Sequence, residues 1–578
     1  MTKIQKLDAH KNPVSRQELE EYVSKLNLTE GLEIVTKLAS RQLWFSDDPK
    51  IISKVNLTNL SLLAKAIVLY ASPTGRAFDR SETNTNDLMW LLKAINSMKW
   101  YPRSEYQQDD LSARISFVMR NAYVRHSIAE DPANSLARAF AMFHERLPHA
   151  TKHTEDLDAA LNQRIGLSRS DLWMLCSAIY MFFYGECAKD GGPWVINPSN
   201  FFAQSPNESS LKPKLQNALS VIAKTPDEIR QIYQANSKYH DSTAPEEYWL
   251  SEFNILKDFP IIDLGDDKYC SPFPVFAWVR GAVGYYFDLG DYYEQIERRD
   301  NPKNPNPHDN KLSQILGDVF QDYVGVQLYS LPTADQHLRP EFKYKVAKNR
   351  LDSPDWLLER LPDLPVLFEC KARRPTLAMQ TKCREQDRVS EAKKVIARAL
   401  AQLCKFLRNA NSGYTPSFTF GTNDKCVYAL VLYDPFPFHA IEEIRSIVER
   451  ETIAKDPDWQ QFKQQVSFVP LSIQELELAC LIEQKTGELI EHQFKKYAAY
   501  RDQAKTLSAG QFAKHFFEFA MDEWDIGDEM MTQMSQSYWD KFTNFMFTEI
   551  FNERHEDYEE EQREIWIAEA AYFTWINS

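Results

Sequence analysis

Glycine and paired cysteines are scarce in this chain, and both shortages exclude familiar kinds of site. Only 17 of the 578 residues are glycine, and no glycine-rich loop of the kind that wraps phosphates is present, which argues against nucleotide binding through a P-loop. The eight cysteines show no spacing typical of a zinc site or a disulfide framework. We therefore expect a reduced, cytoplasmic chain.

Long apolar segments are also missing. The N-terminus lacks the apolar core of a signal peptide. The longest apolar stretch, Leu172 to Tyr184, is shorter than the roughly 20 residues that cross a bilayer. This stretch predicts a buried helix, and the sequence predicts no membrane association.

Two histidines superficially suggest a zinc-protease helix, but their spacing excludes it. His144 and His149 lie five positions apart with Pro148 between them, whereas that motif needs a four-residue spacing on an unbroken helix. The acidic segments also lack the spacing of an EF-hand. Familiar zinc and calcium motifs are therefore absent.

Length and composition predict a packed protein of several domains. Hydrophobic residues make up 43% of the chain and aromatic residues 13%, and a chain of this length divides into about three or four domains. We predict a helical region for sensing or scaffolding at residues 1–243, a region of strands and helices at 244–485, and a helical region at 486–578. The expected fold class is α+β multidomain. Two strand-like runs at 259–273 belong either to the middle region or to a connecting module.

The segment from Leu351 to Arg374 carries the most informative chemistry. It places Asp355 after a proline, and Glu369 and Lys371 two positions apart at the end of an apolar run. In an extended strand, the side chains of Glu369 and Lys371 project from the same face because they are two residues apart. Carboxylates from neighbouring strands can hold Mg²⁺, and a lysine beside them can contact a phosphate oxygen or orient water.

This pattern resembles the PD-(D/E)xK nuclease superfamily, whose members have a restriction-endonuclease-like α/β core. The resemblance implies hydrolysis of phosphodiester bonds, with Mg²⁺ or Mn²⁺ bound by Asp355, Glu369 and the backbone carbonyl of Cys370, and with Lys371 assisting. Pro362-Asp363 is a competing PD dipeptide, but Asp363 lies only six positions before Glu369. Because this leaves little room for a turn between two strands, Asp355 is preferred.

Flanking patterns fit the order of elements in such a core. Helical spacing of apolar residues predicts helices over 311–331 and 385–409, and the segments 426–433 and 466–471 predict buried strands, with a helix from Ser472. Many members of the superfamily place a glutamine or lysine on the helix after the motif. This makes Gln402 a candidate catalytic residue, with a surface glutamine as the alternative.

Superfamily members often carry a further acid on the first helix of the core. Asp318 and Asp322 lie four positions apart and share a helix face, whereas Gln321 stands about where a glutamate is expected. The sequence leaves open whether either aspartate joins the site or lies on a solvated helix face.

Positive charge is concentrated around the motif. Residues 337–408 contain 17 Lys or Arg and 9 Asp or Glu, although the whole chain has a net charge of −15. A local basic surface favours a nucleic acid, because phosphate neutralisation dominates nucleic-acid affinity. The residues expected to contact phosphates are Arg373, Arg374, Lys393, Lys394 and Arg398.

The resulting hypothesis is a metal-dependent nuclease. DNA and RNA, including tRNA, are both open as substrates. The alternatives are a toxin-like ribonuclease that cleaves RNA or tRNA, and a non-catalytic nucleic-acid-binding protein with a nuclease-like fold. A nuclease core between helical flanks is similar in architecture to bacterial anti-phage or restriction-type effectors. A phage-derived trigger protein and a second copy of the chain are therefore candidate partners.

Overall fold

The computed structural model describes most of the chain, in separate ranges. These are residues 14–44, 57–79, 86–100, 138–146, 156–189, 191–203, 205–240, 249–304, 311–373, 376–416, 418–421, 423–434, 442–503 and 515–524. Within them the fold is mixed α+β, as predicted, with helices in the majority.

The first part of the chain is mainly helical. Capping boxes at Ser15 and Thr225 open two of the helices, because a hydroxyl and a glutamate together satisfy N–H groups of the first turn. The helices are α1 (Arg16–Val23), α2 (Leu28–Trp44), α3 (Leu57–Tyr70), α4 (Asp87–Trp100), α5 (Leu157–Ile165), α6 (Arg169–Phe182), α7 (Glu208–Ile222) and α8 (Pro226–Ala235), with π-helical turns at Ala141–Arg146 and Phe183–Cys187.

Helix α6 confirms the buried helix predicted from the longest apolar stretch. Most of its side chains are buried, and Ser168 caps its first turn by accepting a hydrogen bond from the Asp171 N–H. Among the helices that the structure describes, none combines the length and apolar character that crossing a bilayer requires.

A small sheet follows the N-terminal helices. Strand β1 (Ala223–Lys224) pairs in parallel with β2 (Ile261–Asp263), and β2 pairs antiparallel with β3 (Tyr269–Cys270). The two strand-like runs predicted here are thus confirmed, and the turn at 265–267 has positive φ throughout. These strands form a sheet of their own with a partner from the N-terminal part.

A five-stranded sheet organises the second half of the chain. The strands of this half are β4 (Leu338–Pro340), β5 (Lys343–Val346), β6 (Asn349–Asp352), β7 (Trp356–Leu358), β8 (Val366–Lys371), β9 (Cys426–Leu432) and β10 (Val466–Ser472). The spatial order is β10-β9-β8-β7-β4, while β5 and β6 form a separate hairpin. Strands β8, β9 and β10 are parallel, and β7 is antiparallel to both of its neighbours.

Helices follow and precede these strands along the chain. They are α9 (Val275–Val279), α10 (Tyr285–Asp300), α11 (Lys311–Tyr329), α12 (Ala334–His337), α13 (Leu377–Thr381), α14 (Glu385–Glu391), α15 (Arg398–Asn411), α16 (Glu442–Lys455), α17 (Trp459–Phe462), α18 (Ile473–Thr486), α19 (Ile490–Gln503) and α20 (Phe516–Trp524). A 3₁₀ turn lies at Ile255–Lys257, and π-helical turns lie at Arg280–Gly284 and Ala392–Ala397. The helices and strands predicted around the motif are confirmed.

The five-stranded sheet is covered on both faces, because side chains alternate along each strand and both sets are apolar. Trp356 and Phe368 belong to one face, together with α11, α18 and α19. Leu357 and Leu367 belong to the other, where the continuous helix from α14 to α15 packs with α16 and α17. Strand β9 is buried along its whole length.

One apolar core joins the helical regions to the sheet. It extends from Leu19 in α1 to Ala520 in α20 and includes one face of the five-stranded sheet. Beside it, the buried Arg138 forms an ion pair with Glu477 of α18 at 2.8 Å, and the Tyr323 hydroxyl of α11 donates to the same carboxylate at 2.8 Å. The division of the chain at residues 243 and 485 stays a prediction, and residues 525–578 lie outside the described ranges.

Both edge strands of the five-stranded sheet contain a proline. Pro340 in β4 and Pro470 in β10 have no N–H to donate, which suits a strand with one open side. On β10 the carbonyl oxygen of Phe468 accepts a hydrogen bond from Arg501 Nη1 of α19 at 3.0 Å. A helix side chain thus binds a backbone group of this edge strand.

Candidate active site

Strand register brings Asp355 and Glu369 together. The last register pair of β7 and β8 is Trp356 with Phe368, so the two acids stand opposite each other one position further along. The Asp355 Oδ2 atom accepts a hydrogen bond from the Cys370 N–H at 2.6 Å. The predicted neighbourhood of the two carboxylates is therefore present in the fold.

Lys371 completes the group predicted from the motif. Its Nζ atom lies 2.5 Å from Glu369 Oε1, and the two side chains are 28% and 12% exposed. Asp355 is likewise half-buried. The three side chains converge at the carboxyl end of β8 in a place that solvent can reach, so none is sealed in a dry interior.

Burial and the neighbouring carboxylate of Glu369 perturb the ionisation of Asp355. Burial, followed by the charge of Glu369, raises the pKa of Asp355 to about 8, against the opposing effects of the Cys370 N–H and Lys371. Burial lowers the pKa of Lys371, but the adjacent Glu369 outweighs this, and the net shift is upward. Without a cation at the site, Asp355 therefore binds a proton at neutral pH while Lys371 stays charged.

The backbone carbonyl of Cys370 faces the same place. The N–H and C=O of one strand residue point to the same side. The Lys371 carbonyl accepts a hydrogen bond from the Tyr433 N–H at 3.1 Å, so the backbone N–H and C=O of Lys371 point toward β9. The backbone N–H and C=O of Cys370 therefore point to the opposite side, toward β7. Cys370 lies beyond the last register pair of β7 and β8, and its N–H donates to the Asp355 carboxylate. Its carbonyl oxygen is directed to this side as well.

These donors fit a hard divalent cation. Two carboxylates and one carbonyl are oxygen ligands, and Mg²⁺ takes such a partial set and keeps several waters. In the described ranges, no group of three or more His, Cys, Asp or Glu side chains is arranged to hold a metal ion. A cation here would therefore depend on two acids, the carbonyl and water.

A third acid, Glu341, lies beside the pair and was not predicted from the sequence. Pro340 of β4 is opposite Trp356 of β7 in the last register pair of these strands. Glu341 and Asp355 therefore stand opposite each other, one residue beyond that pair. The charge of Glu341 also contributes to the raised pKa of Asp355. No sequence motif identifies Glu341, because its position beside Asp355 depends on the pairing of β4 with β7.

The competing PD dipeptide lies at the far end of the strands. Asp363 is exposed in the loop between β7 and β8, before β8 begins, whereas Glu369 and Lys371 lie at the end of β8. The choice of Asp355 over Asp363 therefore agrees with the strand geometry.

Three other candidates lie on helices that pack against the sheet. Gln402 is exposed on α15, and its side chain forms no hydrogen bond with another described residue. Its catalytic role stays a prediction. Asp318 and Asp322 lie on α11, which packs against the face of Trp356: the indole N–H donates to the Gln321 carbonyl at 2.9 Å. Glu369 and Lys371 belong to the other face, which favours the interpretation of the two aspartates as part of a solvated helix surface.

The predicted phosphate contacts differ in their surroundings. Arg373 Nη2 lies 3.4 Å from the buried Glu391, and Lys393 Nζ lies 3.3 Å from Glu451. Lys394 and Arg398 are exposed. Arg374 lies outside the described residues. All five stay predictions as nucleic-acid contacts.

Comparison of the chain with models of protein families, with curated proteins and with solved structures finds no match. Any functional conclusion therefore depends on the chemistry of the site. The Asp355 carboxylate accepts a hydrogen bond from the Cys370 N–H at 2.6 Å, and Lys371 Nζ donates to Glu369 Oε1 at 2.5 Å. The side chains of Asp355, Glu369 and Lys371 are all half-buried.

Proposed function

We propose that the chain is a metal-dependent nuclease with a restriction-endonuclease-like core of the PD-(D/E)xK kind. The observation that carries this proposal is the convergence of Asp355, Glu369 and Lys371 at one end of β8. The order of elements supports it, with a helix, antiparallel strands, the motif strand, a crossover helix and a parallel strand. Bacterial anti-phage defence is the biological setting that we propose, from the helical regions on either side of the core.

The carboxylates of Asp355 and Glu369 and the carbonyl of Cys370 would hold Mg²⁺ or Mn²⁺. When bound, such a cation polarises a phosphoryl oxygen and lowers the pKa of water. Asp355 must lose its proton to act as a ligand, and its pKa of about 8 means that a cation competes with that proton at neutral pH.

Hydrolysis requires a water nucleophile, a leaving oxygen and a group that stabilises the developing charge. A water oxygen forms a bond to phosphorus as that water releases a proton to solvent, the bond from phosphorus to the 3′ oxygen breaks, and the departing oxygen receives a proton from solvent. The products carry a 5′-phosphate and a 3′-hydroxyl, as the resemblance implies. Lys371 would exchange its contact with Glu369 for the phosphoryl group, where its ammonium stabilises the developing negative charge.

Purified full-length protein tests this proposal with plasmid, single-stranded DNA and total tRNA as substrates. We expect cleavage with Mg²⁺ or Mn²⁺ and none with EDTA. We expect Asp355→Asn, Glu369→Gln and Lys371→Ala each to lose on the order of 100-fold or more in rate. The matched control is Asp363→Asn, which changes the aspartate of the competing PD dipeptide and should cleave like the wild type.

Cleavage that persists in EDTA, or in the Asp355→Asn and Lys371→Ala variants, would contradict the mechanism. If no substrate is cut, expression in cells separates the two remaining readings. Growth arrest by the wild type and not by Lys371→Ala supports a nuclease that awaits a trigger. Equal growth of both favours the alternative, a non-catalytic nucleic-acid-binding protein. Cleavage of tRNA alone would identify the other alternative, a toxin-like ribonuclease.

A further inference from the structure

The hairpin of β5 and β6 begins and ends at the candidate site. The chain enters the hairpin directly after Glu341 and returns from it to Asp355, with 13 residues between the two acids. Both acids lie one step beyond register pairs of the five-stranded sheet. The base of the hairpin therefore lies beside the carboxylates that would hold the cation.

One face of the hairpin anchors it to the protein. Tyr344 pairs with Leu351 across the two strands, and Tyr344 is 4% exposed. The Tyr344 hydroxyl accepts a hydrogen bond from Asn409 Nδ2 at 3.1 Å, and its ring packs edge-on against Phe406 at 5.9 Å between centroids. These contacts with α15 hold the hairpin in a defined position.

The other face is basic and exposed. Lys345 stands directly opposite Arg350 in the register, and Lys348 lies in the connecting turn. Among the residues that the structure describes, none of these three has an acidic partner. Like charges directly opposite each other on two strands destabilise a hairpin. Within the described residues no carboxylate pairs with either cation, and a bound anion would reduce the repulsion between them.

Most other basic residues near the motif are already ion-paired. Arg373 pairs with Glu391, Lys393 with Glu451, and Arg408 with two aspartates of the segment before α17. By contrast, the hairpin keeps three neighbouring cations available to solvent. The hairpin therefore presents more closely spaced available positive charges to an anion than the ion-paired residues do.

We propose that the β5–β6 hairpin binds the phosphodiester backbone of a nucleic acid next to the candidate site. This inference rests on the proposed function and adds the element that positions the substrate. At about 3.3 Å per strand residue, Lys345 lies within about 13 Å of Glu341. Since the phosphates of one strand advance about 3.4 Å each along the axis of a duplex, the hairpin would contact phosphates within about four nucleotides of the cleaved bond.

The test measures binding of a 20-base-pair duplex DNA by fluorescence anisotropy, in EDTA to prevent cleavage, between 50 and 200 mM salt. The variant is full-length Lys345→Gln with Arg350→Gln. The control, Lys25→Gln with Lys268→Gln, removes the same charge from two exposed lysines outside the hairpin. Each lost phosphate contact lowers the slope of log affinity against log salt by about 0.9. We expect the hairpin variant to lose about two in slope and on the order of tenfold in affinity, and the control to match the wild type.

A melting temperature equal to or above that of the wild type is expected for the hairpin variant, because the repulsion between the two cations is gone. Equal binding by variant and control, or no duplex binding by the wild type at 50 mM salt, would overturn the proposal. So would an unchanged affinity for DNA together with a lost affinity for polyglutamate, which would indicate an acidic protein partner. Hairpin-dependent binding by a protein that neither cleaves any substrate with Mg²⁺ nor arrests growth in cells would refute the nuclease and leave the hairpin's role intact.

Discussion

At the scale of single residues, Asp355 departs far from the ordinary chemistry of an aspartate. Its pKa in the folded chain is about 8, compared with 3.8 for an unperturbed aspartate. Between these two values the folded protein keeps a proton that the unfolded chain has released. The free energy of unfolding should therefore fall as the pH rises from about 4 to about 8 in the absence of divalent cations.

Asp355→Asn should remove this pH dependence. A tenfold change in proton affinity corresponds to about 1.4 kcal/mol, and we expect the variant to exceed the wild type in stability by on the order of 2 kcal/mol at pH 8. The difference should shrink toward pH 5. Chemical denaturation in EDTA at several pH values measures it, with Asp363→Asn as an exposed-carboxylate control. A wild-type stability that is level from pH 5 to pH 8 would contradict the assigned environment.

The sequence could predict the residues of the motif but not all of their surroundings. Asp355, Glu369 and Lys371 follow from local spacing and from the alternation of side chains along a strand. Glu341 could not be found in this way, because it reaches Asp355 only through the pairing of β4 with β7. The partners of Arg373 and Lys393 also depend on contacts between distant helices.

At the scale of elements, helix α11 is positioned by a close approach to the sheet. Gly325 lies against the indole ring of Trp356, and a methyl group added at Gly325 would overlap that ring. Gly317 lies on the same helix, with no other group near the position that a methyl would take. The two glycines therefore form a matched pair.

Gly325→Ala should destabilise the protein by about 3 kcal/mol, since the helix must shift away from a rigid side chain. Gly317→Ala should raise stability by about 0.5–1 kcal/mol, because alanine favours a helix over glycine. Denaturant unfolding of both variants measures the contrast. Equal effects would show that α11 does not pack tightly on Trp356.

Long elements could be predicted from sequence, whereas several of the short ones could not. Helix α11, the helix from α14 to α15 and strands β9 and β10 have apolar patterns of sufficient length to indicate their period. Strand β4 has three residues and the hairpin strands have four each. The outer face of the hairpin is charged, so its sequence carries only a few apolar positions, and its partners lie on α15.

At the scale of the whole molecule, a buried ion pair connects the N-terminal helices to the region of the sheet. Arg138 and Glu477 have side chains that are 7% and 6% exposed, and Tyr323 binds the same carboxylate. Arg138→Met would leave Glu477 buried without a cation. We expect a loss of about 3–5 kcal/mol in the free energy of unfolding.

Arg298→Met is the control for this prediction. Arg298 pairs with Glu294 on the surface of α10 with its side chain 62% exposed, and losing such a pair should cost less than about 0.5 kcal/mol. Denaturant unfolding of the full-length variants measures both. Because one apolar core extends from α1 to α20, we expect a single transition. A separate transition that only Arg138→Met alters would show that the N-terminal helices unfold independently.

The two prolines at the sheet's borders limit how this protein can assemble with others. Pro340 and Pro470 each remove a donor that an incoming strand would require, and Arg501 already occupies an acceptor on the β10 side. Continuous β-sheet polymers between copies are consequently disfavoured. Any higher-order complex should therefore be built through helix surfaces.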